Sequence, residues 1–299
     1  MKKIAVLLAA YNCEKYIEEQ LDSILNQSGV DISIFVSLDK STDSSYEIIQ
    51  SYVKKYKNIH ILEYQKRYGS AGKNFFRLIT EVNIDAYDFV SFSDQDDVWF
   101  PSKISHGINV LNNSNADAYS SNVIALWENG RTKIIKKSHP QVEFDYLFQS
   151  AGPGCTYIFK KTKFKTFQKY LLNNIKNLHT VWLHDWLIYS FYRGNGYKWI
   201  IDQIPLMHYR QHNDNQIGAN FNIRSLLGRM KIMLSKNSDD LVINQAMFLR
   251  QNDLQPIILI KKKRIGYLKL ALMSSKLRRK NIEKLFCSIY FFIKFLRGN

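Results

Sequence analysis

The strongest constraint on the fold is an alternation of strand and helix patterns through the first third of the chain. Residues 4–10 form a near-continuous apolar run, as expected for a parallel strand buried on both faces. Further strands are predicted over residues 32–38, 59–64 and 89–93, separated by amphipathic helices over residues 14–26, 43–56 and 72–82. This order predicts an α/β protein with a doubly wound, mostly parallel sheet.

Three carboxylates follow the fourth predicted strand directly. Asp94, Asp96 and Asp97 come after the apolar residues Phe89 to Phe92. Open α/β sheets bind ligands at the carboxyl ends of their strands. Carboxylates this close repel one another unless a cation or strong donors neutralise them, and oxygen ligands suit Mg²⁺ or Mn²⁺. The alternative is a solvated acidic turn or the N-terminus of a helix.

Polar or flexible residues also follow the other predicted strands. Tyr11 closes the first strand, Asp39 closes the second, and Gly72 with Lys73 begins the helix after the third. A helix start of this kind can hold an anion. Each residue has an ordinary structural interpretation as packing, a cap or a tight turn. Their coincidence at one edge of one predicted sheet favours a ligand site.

Taken together, four motifs resemble the inverting glycosyltransferases of family 2. These motifs are Ala-Ala-Tyr-Asn at residues 9–12, Leu-Asp-Lys-Ser-Thr-Asp at 38–43, the segment 69–74, and Asp-Gln-Asp-Asp-Val-Trp at 94–99. The resemblance implies a GT-A fold, which binds a nucleotide sugar. The family often has two acids and a glycine where this chain has Leu38, Asp39 and Lys40. That departure concerns the identity of the bound nucleotide more than whether a nucleotide is bound.

The resemblance also implies roles for individual residues. The base and ribose would contact Ala10, Tyr11 and Asp39, Asp94 would place the ribose, and Asp96 would hold the Mg²⁺ or Mn²⁺ that bridges the diphosphate. The complete set implied for the nucleotide sugar is Ala10, Tyr11, Asp39, Gly72, Lys73 and Asp94. The set implied for the acceptor side is Trp99, Gly154 and His184.

A second functional stretch is His184-Asp185-Trp186, which begins a predicted helix. The local sequence favours Asp185 as a capping acid that interacts with the helix dipole. The resemblance instead implies that Asp185 is the general base, with His184 in place of a glutamate. An inverting displacement needs such a carboxylate to take the proton of the acceptor hydroxyl.

A histidine late in the domain is implied as a further metal ligand. His212 fits that place best and His208 is the competitor, although an isolated histidine is more often structural.

Length and composition indicate a folded protein of 299 residues with 45% hydrophobic and 14% aromatic residues. We expect a GT-A domain over residues 1–220 and a helical basic C-terminal region over residues 221–299. The three cysteines fit neither a disulfide framework nor a zinc cluster, which favours a reducing compartment. No apolar run is long enough for a transmembrane helix.

The positive charge is concentrated at the C-terminus. Residues 261–299 carry 12 Lys and Arg against one acid, Glu283, which leaves only +5 of the total +16 for the preceding 260 residues. Aromatic and aliphatic residues between these cations predict an interfacial helix on an anionic membrane. Nucleic-acid binding and a plain packing helix are the alternatives, and no nucleic-acid motif accompanies the charge.

The sequence thus predicts a metal-dependent inverting glycosyltransferase that uses a dTDP- or UDP-sugar to build a bacterial surface polysaccharide. The expected acceptor is a saccharide or a lipid-linked saccharide. The enzyme is expected in the cytoplasm, peripheral at the inner face of the cell membrane. The combination of residues 94–99 with His184-Asp185-Trp186 resembles rhamnosyltransferases that use dTDP-L-rhamnose. The alternative function is an inactive nucleotide-fold protein that binds nucleic acid or serves as a scaffold.

Overall fold

The computed structural model describes residues 1–64, 66–181, 183–212 and 238–298. These residues divide into two compact units. The first contains residues 1–138, 152–173 and 196–212, and the second contains residues 139–151, 174–195 and 238–298. The boundary predicted after residue 220 lies outside the described residues. The domains 1–220 and 221–299 therefore stay a prediction.

The first unit contains eleven strands in two sheets. The strands are β1 (Lys2–Ala10), β2 (Val30–Leu38), β3 (Ile59–Ile61), β4 (Phe89–Ser93), β5 (Val98–Trp99), β6 (Ala118–Ser121), β7 (Val123–Trp127), β8 (Thr132–Ile135), β9 (Ile158–Lys160), β10 (Trp199–Asp202) and β11 (Met207–Gln211). The large sheet has the order β10-β6-β9-β4-β1-β2-β3, and the small sheet has the order β5-β11-β7-β8. All pairings in the large sheet are parallel except those of β9 with β4 and β6. The predicted α/β class with a mostly parallel sheet is confirmed.

The strand β1 is the centre of the core. Every residue from Ile4 to Leu8 is 0% exposed, and β1 lies between β2 and β4. Because successive side chains of a strand point to opposite faces, β1 is buried on both faces of the sheet. Fully burying side chains of the size of Ile4, Val6 and Leu7 contributes roughly 1.5–3 kcal/mol each. The continuous apolar run at the start of the sequence is thus explained by burial on both faces.

The helices of the first unit are α1 (Ile17–Leu25), α2 (Ser45–Lys55), α3 (Ala71–Glu81), α4 (Lys103–Asn113) and α5 (Lys161–Asn173). Those of the second unit are α6 (His184–Gly194), α7 (Ser238–Phe248), α8 (Gln255–Lys261), α9 (Arg264–Leu272) and α10 (Asn281–Arg297). Among the described helices, none combines the length and the apolar character needed to cross a membrane.

The apolar pattern of residues 118–127 predicts a single strand, and this prediction is wrong. The structure divides the segment at Asn122 into β6 of the large sheet and β7 of the small sheet. The Asn122 side chain accepts hydrogen bonds from the amides of Lys137 and Ser138 and donates to the carbonyl of Gln203. These side-chain hydrogen bonds interrupt the backbone hydrogen bonding that a single continuous strand would make. The dipeptide Asn129-Gly130 predicts a hairpin between this segment and a strand over residues 133–136, and the antiparallel pairing of β7 with β8 confirms it.

Two other predicted strands are shorter than expected. The third ends at Ile61, and residues Gly154–Thr156 form a 3-10 turn before β9. The turn is closed by the Thr156 hydroxyl, which donates to the carbonyl of Pro153 at 2.8 Å. The sequence of residues 155–159 predicts a strand that begins at Cys155, whereas Gly154 and Cys155 lie in this turn and β9 begins at Ile158.

Candidate active site

The carboxyl ends of β1, β2 and β4 meet at one edge of the large sheet. In the parallel register, Ala9 lies opposite Ser37 of β2, and Leu8 lies opposite Ser93 of β4. The residues that follow these strands therefore converge, which confirms that the predicted strand ends share one edge. The amide of Tyr11 donates to Gln95 Oε1 at 2.6 Å and joins the ends of β1 and β4 directly.

The Asp39 carboxylate anchors a backbone loop at this edge. It is 3% exposed and accepts hydrogen bonds from the amides of Lys40 (3.0 Å), Tyr68 (2.6 Å) and Gly69 (2.8 Å). Gly69 has a φ of +81°, a conformation that residues with a side chain rarely adopt. Asp39 therefore fixes the loop that leads into α3, in addition to any contact with a nucleotide.

The start of α3 lies at the same edge. Ser70 caps the helix by accepting from the amide of Lys73 at 3.3 Å, while Gly72 is buried and the Lys73 side chain is exposed. Sequence reasoning missed Asn74, whose side-chain amide donates to the carbonyls of Ala10 (3.2 Å) and Ser37 (2.8 Å). This buried amide holds the ends of β1 and β2 together.

The carboxylate cluster differs from residue to residue in burial and partners. Asp94 and Asp96 are partly exposed, whereas Asp97 is 0% exposed. Burial raises the pKa of Asp97, and the negative charges of Asp96 and Asp94 raise it further. The amide of Arg210 donates to Asp97 Oδ1 at 3.3 Å.

The small sheet brings His212 to the carboxylates. Strand β11 pairs antiparallel with β5, which directly follows the acids. As a result, His212 Nε2 lies 2.6 Å from Asp96 Oδ2. His208, the competing candidate, packs its ring edge-on against Phe100 with the ring centroids 4.9 Å apart. Of the two histidines, His212 is the one in contact with the predicted metal ligand Asp96.

Arg210 is a site residue that the sequence analysis missed. Its Nε donates to the backbone carbonyl of Asp96 at 2.9 Å, and its Nη2 is 2.5 Å from Glu19 Oε2. The guanidinium also lies 4.5 Å from the ring centroid of Tyr16. Arg210 therefore holds the backbone of the acidic loop in place. No local pattern in the sequence signals this contact, because Glu19 and Arg210 lie 191 residues apart.

Two of the acids, Asp94 and Asp97, form a group with the buried Cys155. One carboxylate oxygen each of Asp94 and Asp97 and the Sγ of Cys155 all lie within 4.8 Å of one another. Burial raises the pKa of the Cys155 thiol, so Cys155 is protonated at neutral pH and shares a hydrogen bond with Asp97. Burial also lowers the pKa of Lys103 to about 7, and its Nζ lies 3.5 Å from the ring centroid of Trp99.

The donor set fits a hard divalent cation. Asp96 and His212, whose Oδ2 and Nε2 atoms lie 2.6 Å apart, offer a carboxylate oxygen and an imidazole nitrogen, which are ligands that Mg²⁺ and Mn²⁺ accept. The Asp94 carboxylate lies instead with that of Asp97 and with the Cys155 thiol. The assignment of Trp99 and Gly154, both buried, to the acceptor side stays a prediction.

Two predicted site residues lie in the second unit, at the start of α6. Asp185 stands in the first turn of α6 and its Oδ1 accepts a hydrogen bond from the amide of Trp186 at 2.8 Å, while the N-cap residue, Leu183, makes no side-chain capping bond. His184 is 8% exposed, and burial lowers its pKa to about 3, which keeps the imidazole neutral. The roles of Asp185 as base and His184 as an acceptor-side residue stay predictions.

Comparison with known proteins decides the family. The family model described as glycosyl transferase family 2 matches residues 5–178. The chain belongs to glycosyl transferase family 2. It is 44% identical over 280 residues to dTDP-rhamnosyl transferase RfbG of Shigella flexneri, covering 93% of this chain and 96% of that protein. It is 26% identical over 187 residues to the UDP-Glc:alpha-D-GlcNAc-diphosphoundecaprenol beta-1,3-glucosyltransferase WfaP of Escherichia coli, covering 62% and 70% of the two chains.

Solved structures give the same fold. Residues 1–349 of S. aureus TarS, in complex with UDP-GlcNAc, match with a TM-score of 0.55 and 15% identity, covering 99% of this chain and 89% of that one. The mannosyltransferase PcManGT of Pyrobaculum calidifontis, in complex with GDP-Man and Mn²⁺, matches with a TM-score of 0.50 and 14% identity, covering 99% and 86%.

The predicted family and GT-A fold are thus confirmed, and the family 2 chain is an inverting glycosyltransferase. The comparisons give no support to the alternative of an inactive nucleotide-fold protein.

Proposed function

We propose that this family 2 enzyme transfers L-rhamnose from dTDP-L-rhamnose to a saccharide of a bacterial surface polysaccharide. The observation that carries the proposal is the 44% identity to a dTDP-rhamnosyl transferase over nearly the whole of both chains. A UDP-sugar is the competing donor, because WfaP uses UDP-Glc by its name. The diphosphoundecaprenol in the name of WfaP supports a lipid-linked acceptor here as well.

Donor binding is assigned to the sheet edge of the first unit. Asp96 and His212 would hold a Mg²⁺ or Mn²⁺ ion, which supplies charge stabilisation to the departing diphosphate. Ala10, Tyr11 and the loop anchored by Asp39 would bind the nucleoside, and Asp94 would place the ribose. Gly72 and Lys73 complete the donor side at the start of α3.

Acceptor activation is assigned to Asp185. A carboxylate in the first turn of α6 is partly exposed, so it can accept the proton of an acceptor hydroxyl during displacement at the anomeric carbon. Trp99, Gly154 and His184 are assigned to the acceptor side. The neutral imidazole of His184 would add no charge to that site.

Peripheral attachment to the inner face of the cell membrane is part of the same proposal. Helix α10 exposes Ile282, Leu285, Ile289, Phe292 and Leu296, whose exposed fractions range from 39% to 64%. Their spacing of three and four residues places them on one side of the helix. We call this set the apolar stripe. Apolar side chains beside lysine and arginine suit the surface of an anionic bilayer.

The metal assignment can be tested with Asp96→Ala. The variant should lose transfer and bind dTDP more weakly in the presence of Mn²⁺, because it lacks a ligand of the ion. Asp31→Ala, at an exposed position of β2, is the matched control and should retain both properties. If Asp96→Ala folds normally and binds dTDP with unchanged affinity in Mn²⁺, the metal site is not at Asp96.

A further inference from the structure

Two side chains from the end of β11 hold Asp96 at different atoms. Nε2 of His212 lies 2.6 Å from the carboxylate oxygen Oδ2 of Asp96, whereas Nε of Arg210 donates to the backbone carbonyl of Asp96 at 2.9 Å. The side chains of His212 and Asp96 are only 10% and 14% exposed. Neighbouring side chains, more than solvent, therefore set the direction in which these two groups point.

The ring of Tyr16 contacts both of the residues that hold Asp96. Tyr16 directly precedes α1, and its ring centroid lies 5.4 Å from that of His212. The guanidinium of Arg210 lies 4.5 Å from the centroid of the same ring. Both distances are in the range in which aromatic pairs and cation–π pairs are favourable. One partly exposed aromatic ring thus packs against the imidazole and the guanidinium together.

Glu19, in the first turn of α1, fixes the direction of Arg210. Its Oε2 lies 2.5 Å from Nη2 of Arg210, whose side chain is 15% exposed. A guanidinium is planar and its donors have a fixed geometry, so a bond at Nη2 also directs Nε. The negative charge of Glu19 further offsets a positive charge that would otherwise disfavour a cation nearby.

We propose that Arg210 and Tyr16 are positioning residues of the metal site. Arg210 holds the backbone of Asp96 and Tyr16 holds the imidazole of His212, so that both present their ligand atoms to one divalent cation. Contacts that orient metal ligands contribute strongly to metal affinity although they do not touch the ion. The proposal rests on the proposed function in one respect, the assignment of Mg²⁺ or Mn²⁺ to Asp96 and His212.

The first test measures the affinity for Mn²⁺ in the presence of dTDP, from the paramagnetic resonance signal of the free ion. Arg210→Gln should bind Mn²⁺ about 10- to 100-fold more weakly, because the backbone of Asp96 is no longer held. A cation that was merely nearby would give the opposite sign, since its removal strengthens binding of Mn²⁺. Arg131→Gln removes an arginine from an exposed position of the same unit and should bind Mn²⁺ as the wild type does.

The second test uses a matched pair of substitutions at Tyr16. Tyr16→Phe keeps the ring and loses only the hydroxyl, which lies 3.3 Å from Glu128 Oε1, so its affinity for Mn²⁺ should be that of the wild type. Tyr16→Leu removes the ring and should bind Mn²⁺ about tenfold more weakly. In a His212→Ala background, Tyr16→Leu should have no further effect, because Tyr16 acts through the imidazole.

Binding of dTDP in EDTA distinguishes positioning of the metal ligands from general damage. Arg210→Gln and Tyr16→Leu should bind dTDP in EDTA as the wild type does, and a loss there equal to the loss for Mn²⁺ would overturn the proposal. Unchanged or tighter Mn²⁺ binding in Arg210→Gln, or equal Mn²⁺ affinity in Tyr16→Leu and Tyr16→Phe, would overturn it as well. If Arg210→Gln does not fold, the Tyr16 pair decides.

Asp96→Ala separates this proposal from the proposed metal site itself. If Asp96→Ala binds Mn²⁺ as tightly as the wild type, or if the wild type does not bind Mn²⁺, the metal site fails and the positioning roles fail with it. If Asp96→Ala loses Mn²⁺ while Arg210→Gln and Tyr16→Leu retain it, only the positioning roles fail.

Discussion

The contacts of Asp39 lead to a prediction for the substitution Asp39→Asn. The carboxylate accepts backbone hydrogen bonds at both oxygens, from Tyr68 at Oδ1 and from Gly69 at Oδ2. Asparagine has nearly the same shape but replaces one oxygen by an NH₂ group, which cannot accept. At least one charge-assisted hydrogen bond is lost, at a cost of about 1.5–3 kcal/mol. The loop that leads into α3 should open more often by that amount.

Hydrogen exchange measures this opening directly. Because 1.4 kcal/mol corresponds to a factor of ten, exchange at the Tyr68 and Gly69 amides should become roughly 10- to 150-fold faster. Affinity for dTDP should fall in parallel, since the same loop borders the proposed nucleoside site. Asp31→Asn makes the same charge change at an exposed position and should alter neither quantity. Unchanged exchange at both amides in Asp39→Asn would refute the reasoning.

Three further predictions concern the second unit. Asp185→Asn should preserve binding of the nucleotide sugar while transfer falls by roughly 10² or more, and near-wild-type transfer would place the base elsewhere. Burial lowers the pKa of His184 from 6.5 to about 3, so below pH 6.5 the unfolded chain gains a proton that the folded chain does not. The free energy of unfolding should therefore fall by about 2 kcal/mol between pH 6.5 and pH 5 through this residue. In denaturant titrations, His184→Gln should lack that part of the decrease. An identical decrease in both proteins would contradict the lowered pKa of His184. Replacing Leu285, Ile289 and Phe292 by serine should weaken sedimentation with anionic vesicles although every charge is retained, whereas full binding would exclude the apolar stripe as the attachment surface.

Short-range patterns in the sequence were sufficient to predict the sheet edge. Strands that are buried on both faces read as apolar runs, and the polar residues that end them, Tyr11, Asp39 and Asp94, must then lie side by side. The preference for His212 over His208 agrees with the contact between His212 and Asp96. The preference for His212 rested on the order of motifs in the family, because no local pattern distinguishes the two histidines.

Contacts that depend on the small sheet could not be predicted. Arg210 reaches Glu19 and the backbone of Asp96 only because β11 pairs antiparallel with β5, and nothing near Arg210 in the sequence indicates that pairing. Cys155 meets Asp97 through the turn that precedes β9 of the large sheet, and the apolar pattern of residues 155–159 does not indicate that turn. Asn122 ends one strand through hydrogen bonds to residues 15 and 16 positions away, which hydrophobic periodicity does not reveal.

The central claim is that the acids at the sheet edge make this chain a metal-dependent transferase of rhamnose. One assay tests this claim. The purified chain is incubated with a panel of dTDP- and UDP-sugars, with Mn²⁺ or with EDTA, and release of the nucleoside diphosphate is measured. We predict release from dTDP-L-rhamnose in Mn²⁺, little release from the UDP-sugars, and loss of release in EDTA and in Asp96→Ala. Equal release from dTDP-L-rhamnose in EDTA, or release from a UDP-sugar alone, would contradict the claim.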